Sequence, residues 1–341
     1  MPHLDAMASR GEVFRLSAID PAGSLEAGLL GLPPGEGEMA LGPLVALAME
    51  LDFPPRSTPF AVAALTLAEG LLGSPTGRLG PEMLAEVGRV MERLSSKSLW
   101  PFWKGEDGCL VWTSWGDSLD FPPEKAVGQP YRDVWPQGDP DRPLQQFIED
   151  SHELLRSSEV VKRLMEAERP YADVLWPHGG GRMRSVPSLA LARGEVLTVA
   201  GGDVKLEGLT RRVGYRFLGR SVEGREMQTP FADRGKATIG VYPEFSRLIV
   251  HGLLDEAAWW LREFDARVVG AFEPETRPSR FVLVCPSATS MGLTLRWDSE
   301  QIDPTQRPLR PDVLEETKVP VRPFAGVCAD ALLPLVEEEI A

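Results

Sequence analysis

From residue 172 onward, short β-branched apolar runs alternate with helical stretches, a pattern few folds can satisfy. Strands of this kind are buried on both faces, which argues an α/β fold whose mostly parallel sheet is covered by helices on both faces. The candidate strands are 196–200, 213–217, 247–251 and 281–285. The stretch 245–272, F-S-R-L-I-V-H-G-L-L-D-E-A-A-W-W-L-R-E-F-D-A-R-V-V-G-A-F, concentrates the pattern: a strand, a short loop and a helix opening at Asp255. Trp260, Leu261, Phe264, Val268 and Ala271 make one apolar stripe at the helical period. A strand feeding a helix through a loop that carries an acid is how open α/β sheets build sites at their strand ends. Asp255 and residue 259 share a helix face, as two ligands of one ion would. Residue 259 is Trp, which cannot be such a ligand.

Upstream, residues 13–18 read as a strand leading into a Gly/Pro-rich passage, 21–37. Ser24 in that passage either caps a short helix or stands where backbone N–H groups would suit an anion. The spacing predicts helices over 60–73 and 81–94, the second with Pro81 in its first turn and a stripe of Met83, Leu84, Val87, Val90, Met91 and Leu94. Residues 99–135 then hold Trp100, Trp103, Trp112, Trp115 and Trp135, an aromatic cluster that reads as the core of a smaller domain. Helices over 144–155 and 159–168 close that segment, and 319–327 reads as a last edge strand before an acidic C-terminal helix.

A net charge of −14 argues against nucleic acid or an anionic membrane as partner, because both require a basic footprint. Cys109, Cys285 and Cys328 form no C-x-x-C pair, so neither a zinc knot nor a disulfide frame is expected. No run reaches transmembrane length and the start has no apolar signal region, so the expected location is the cytoplasm. The four histidines, His3, His152, His178 and His251, make no ligand cluster, and His152 reads as a surface or boundary residue. G-D-S-L at 116–119 matches a serine-hydrolase tetrapeptide but has no D-x-x-H partner. H-G-G-G-R-M-R at 178–184 is read as a hinge, with phosphate contact through its arginines as a further role.

Several stretches together resemble the archaeal-type, 2,3-bisphosphoglycerate-independent phosphoglycerate mutases of the alkaline phosphatase superfamily. The start P-H-L-D-A-M-A-S-R-G resembles the family's T-P-N-L-D-x-L-A-x-x-G, and P-A-G-S-L-E-A-G-L-L-G-L-P-P resembles the segment that carries its phosphorylated Ser, which falls on Ser24. S-P-T-G-R, Y-A-D-V-L-W-P-H-G-G-G, V-H-G-L-L-D-E-A-A-W, V-C-P-S-A-T-S and V-P-V-R-P-F-A-G each resemble a further family motif. The resemblance implies an alkaline-phosphatase-like core formed by 1–58 and 170–341, with a smaller α+β domain, 59–169, inserted between them. It also implies a phosphoserine mechanism with two divalent metals, Mn, Mg or Zn, interconverting 3-phosphoglycerate and 2-phosphoglycerate.

Most of the metal-linked positions of that family are replaced. Asp255 matches, but its His partner is Trp259, which would fill the vacated cavity with apolar bulk. The family's adjacent Asp-His pair falls on Ser287 and Ala288, its His before D-P-V-P-F falls near Glu316, and its first metal Asp would precede Met1. Hard-metal sites need several oxygens converging on each ion. The chain is therefore expected to be metal-free and catalytically degenerate, a binding or interaction protein with no cofactor. Arg78, Arg182 and Arg184 would contact a small phosphorylated ligand. The alternative is an active mutase or phosphatase with Ser24 as nucleophile and rebuilt ligands from Asp255, Glu256, Glu316 or Asp303. A serine esterase built on G-D-S-L and H-G-G-G ranks third.

Overall fold

The computed structural model describes residues 12–16, 25–32, 39–113, 121–136, 142–194, 196–220, 238–241, 248, 252–269, 280–285, 293–298 and 321–322. The chain divides into two compact units, one of residues 39–185 with 207–212, the other of 1–38, 186–206 and 213–341. In chain order the elements begin with β1 (Glu12–Leu16) and α1 (Leu25–Leu29). Then follow α2 (Leu41–Ala48), β2 (Thr58–Ala68), β3 (Leu71–Gly73), α3 (Pro81–Arg93), β4 (Leu99–Lys104) and β5 (Asp107–Trp112). After these come α4 (Pro123–Ala126), α5 (Tyr131–Val134), α6 (Arg142–Ser157), α7 (Glu159–Glu166) and β6 (Val174–His178). The chain continues through α8 (Leu189–Arg193), β7 (Thr198–Gly201), α9 (Val204–Arg212), β8 (Arg216–Phe217) and β9 (Thr238–Val241). Last are α10 (Leu254–Phe264), which runs into a π turn at Asp265–Val269, then β10 (Arg280–Cys285), β11 (Leu293–Asp298) and β12 (Val321–Arg322). No helix among the described residues is long and apolar enough to cross a membrane.

The unit 39–185 is built on an antiparallel sheet in the order β3-β2-β5-β4, with β6 paired to β2. Its central strand, β2, occupies most of the segment predicted as a helix over 60–73, which is instead a β-hairpin with β3. Glu69 and Gly70 both take positive φ, 53° and 81°, and Ala68 pairs with Leu71 across them. A two-residue loop with both φ positive is the turn that joins right-twisted antiparallel strands. The near-continuous apolar run of β2 belongs to a strand covered on both faces, which periodicity alone does not separate from a buried helix.

The alternation is visible once the strand is placed. Phe60 and Val62, with Ala64, pack into one cluster with α3, α6 and α7; Leu65, with Ala63 and Leu67, packs into another with α4 and α5. Helix α3 has Pro81 at its start and buries Met83, Val87, Val90 and Met91, as its spacing predicts. Trp112 lies in the first cluster with Trp103 packed against it, and Trp135 packs on the second, so these tryptophans are core. Cys109 is a free, buried thiol in the middle of β5, opposite Ala61 on one side and Phe102 on the other.

The second unit holds a parallel sheet, β8-β7-β9, and a sheet in the order β10-β11-β1-β12. In the latter, β1 is parallel to β12 but antiparallel to β11, and β10 is antiparallel to β11. The expectation of one mostly parallel sheet is thus met only in part. The connection 286–292 between β10 and β11 is too short for a parallel crossover, which takes about a dozen residues, so a hairpin is the available solution. β12 does lie at the sheet edge, within the stretch read as an edge strand. The predicted strand 247–251 lies outside the described residues except for Leu248, which is helical.

Candidate functional site

Asp255 and Glu256 occupy the first turn of α10, where carboxylates offset the partial positive charge of the helix end. Both are exposed. Trp259, one turn on, shares the Asp255 face and is 46% exposed. Its indole therefore plugs no cavity, contrary to the expectation from sequence; the buried side of the helix is instead that of Ala257 and Phe264. Trp260 stacks on Phe264 with ring centroids 5.3 Å apart, a contact that orients this buried side. Ser24, Ser287, Ala288, His251, Asp303, Glu316 and the G-D-S-L tetrapeptide lie outside the described residues.

The three candidate anion contacts lie in the unit 39–185. Arg78 is exposed and pairs with Glu106 at 2.7 Å. Arg182 and Arg184 are exposed on the segment after β6, and the Arg184 carbonyl accepts a hydrogen bond from the Arg212 guanidinium at 3.1 Å.

The glycine run that precedes them is closely packed in this structure. A Cβ on Gly179 would come within 2.8 Å of the Leu41 side chain, one on Gly181 within 2.5 Å of Ala40, and one on Gly180 would enter the buried Phe60 ring. The Gly42 amide donates to the Gly179 carbonyl at 2.8 Å, and the Gly181 amide donates to Pro59. Backbone groups engaged in this way are closing a strand against a helix, and the Gly181 N–H is not free to cradle a phosphate.

Sequence reasoning missed Asp173, a fully buried acid at the head of β6. Its Oδ1 accepts the Leu67 N–H at 2.6 Å, supplying an acceptor just beyond the Leu65–Val174 end of the β2–β6 ladder. Its own N–H donates to Leu65, and its carbonyl meets His152 Nδ1 at 2.8 Å. The Arg156 guanidinium stands 3.4 Å from Oδ2. Burial pushes the Asp173 carboxyl up from its ordinary value, against the opposing pull of the Leu67 N–H, His152 and Arg156. Beside it, Ser151 accepts from the Leu175 N–H and donates to the Ile148 carbonyl. The available signal was His152 and Arg156 one turn apart on a helix, facing a lone acid that leads an apolar strand. The cluster stitches α6 to the sheet.

Among the described residues no three His, Cys, Asp or Glu side chains converge on a point, so these residues do not fit a divalent-metal centre. The chain is 26% identical over 238 residues to a 2,3-bisphosphoglycerate-independent phosphoglycerate mutase of Methanopyrus kandleri, a match covering 62% of this chain and 56% of that protein. The match thus spans little more than half the length of that relative. Two solved structures share the fold. The cofactor-independent phosphoglycerate mutase of Thermoplasma acidophilum aligns with a TM-score of 0.54 at 16% identity, over 97% of this chain and 90% of its own. A protein of Pyrococcus horikoshii aligns with a TM-score of 0.64 at 14% identity, over 98% of this chain and 91% of its own. No family model matches the chain.

Proposed function

Proceeding from its place as a divergent relative of the archaeal-type 2,3-bisphosphoglycerate-independent phosphoglycerate mutases, we infer that this chain keeps the α/β fold without the two-metal phosphoryl-transfer centre and serves as a binding or interaction protein. In this reading the fold is alkaline-phosphatase-like, the protein is cytoplasmic, and Arg182 and Arg184 remain as contacts for a small phosphorylated ligand. The observation that carries it is the pair Asp255 and Trp259. The acid stands on the first turn of α10, and the residue that should complete its ion site is an exposed indole with no lone pair for a metal. One exposed carboxylate does not hold a divalent ion against water.

Two measurements on the purified full chain test this. Elemental analysis should find no stoichiometric Mn or Zn. A coupled assay converting 3-phosphoglycerate to 2-phosphoglycerate, with added Mg, Mn or Zn, should show no turnover that Ser24→Ala removes. Tightly held metal, or a rate that collapses in Ser24→Ala, would replace this reading with that of an active phosphoryl-transfer enzyme.

A further inference from the structure

Helix α10 has a buried side and a bare side. Ala257 and Phe264 are buried, while Leu254, Asp255, Ala258, Trp259 and Arg262 are all exposed. Leu254 is 65% exposed and Trp259 is 46% exposed. Leu254 and Trp259 flank this exposed side, about 140° apart around the helix, and an exposed indole is a frequent anchor of a protein contact. The charges on this face are also unspent. Glu263 is taken by Arg267 at 2.7 Å, but among the described residues neither the Asp255 nor the Arg262 side chain has an ion-pair partner. They are two turns apart, about 10.5 Å along one helix, too far to meet each other.

That spacing is self-complementary. We propose that this face pairs with the same face of a second copy of the chain, the two helices antiparallel about a two-fold axis between residues 258 and 259. Asp255 of one copy then lies opposite Arg262 of the other, and the reverse pair forms by symmetry. The indole of Trp259 seats over the Ala258 methyl of the other helix, whose small side chain admits the interaxial distance of about 8–10 Å that packed helices adopt. Leu254 flanks each end. Two copies at −14 repel overall, and a face carrying its own cation and anion in register offsets that locally. One helix face is a small contact, so the association expected is weak, with Kd on the order of micromolar.

The inference stands on the helix face and rests on the reading above in one respect: Asp255 holds no ion and is open to Arg262 of the second copy. A chain that dimerises yet holds metal would fail the functional reading alone, and a metal-free monomer would fail this one alone. Sedimentation velocity of the full chain over a wide concentration range should show a monomer–dimer equilibrium. Asp255→Arg and Arg262→Asp should each weaken it at least tenfold, as should Trp259→Ser. An equimolar mixture of the two charge variants should recover dimer, because each then offers the other the opposite charge at both ends of the contact. The double variant should dimerise with itself for the same reason. A chain monomeric throughout, a dimer indifferent to all three substitutions, or a mixture that stays monomeric would each overturn the proposal.

Discussion

Burial holds the Asp173 carboxyl above the ordinary aspartate value of 3.8, so folding favours its protonated form. Its stabilising contribution is complete below that value and is lost as pH rises through the higher folded value. Asp173→Asn cannot ionise and loses nothing over this interval. Its urea midpoint relative to wild type should therefore rise as pH is raised from below 3.8 to neutrality; a constant difference would contradict the assignment. Asp173→Ala is a different perturbation. It leaves the buried Leu67 N–H without its acceptor, at a cost of about 1–3 kcal/mol. Which amide the acid serves was not legible in the sequence, because Asp173 and Leu67 are separated by 106 positions. Trp259 was legible as an anomaly, but its exposure depends on which side of α10 the fold buries, and composition is silent on that.

At the scale of elements, helices announced themselves better than the central strand. Pro81 and the stripe behind it predict α3 correctly, because an amphipathic helix writes its period into one short window. β2 writes no such period, and its hairpin turn, Glu69–Gly70, was too short a signal to overrule an alanine-rich run. Helix packing hides a second signal at Gly208. An alanine there would ordinarily gain about 1 kcal/mol of helix propensity. A Cβ at this position, however, would run into the Leu44 carbonyl of α2, with backbone on the opposing side. Gly208→Ala should therefore destabilise, by about 1–3 kcal/mol. Thermal or urea unfolding decides the sign, and a gain in stability would mean that α2 and α9 can move apart freely.

For the whole molecule, alternation of strands and helices correctly indicated an α/β protein, and motif resemblance indicated the relatives that sequence and fold comparisons then supplied. The mixture of parallel and antiparallel sheets was not legible, since strand direction is set by connections such as 286–292 and not by the strands' own residues. The candidate site was legible only as a set of replacements at Asp255 and Trp259. The thiol at the middle of β5 has a use that no local reading suggests. Burial raises the Cys109 pKa from 9.0 to about 12, so in the folded protein it is both sheathed and protonated. In a background with Cys285→Ser and Cys328→Ser, a thiol reagent at neutral pH should modify it only when the sheet opens. Labelling should accelerate with urea in step with loss of structure, whereas rapid modification in native buffer would show the sheet opening freely. Cys109 is thus a built-in clock, ticking once for each molecule whose sheet comes apart.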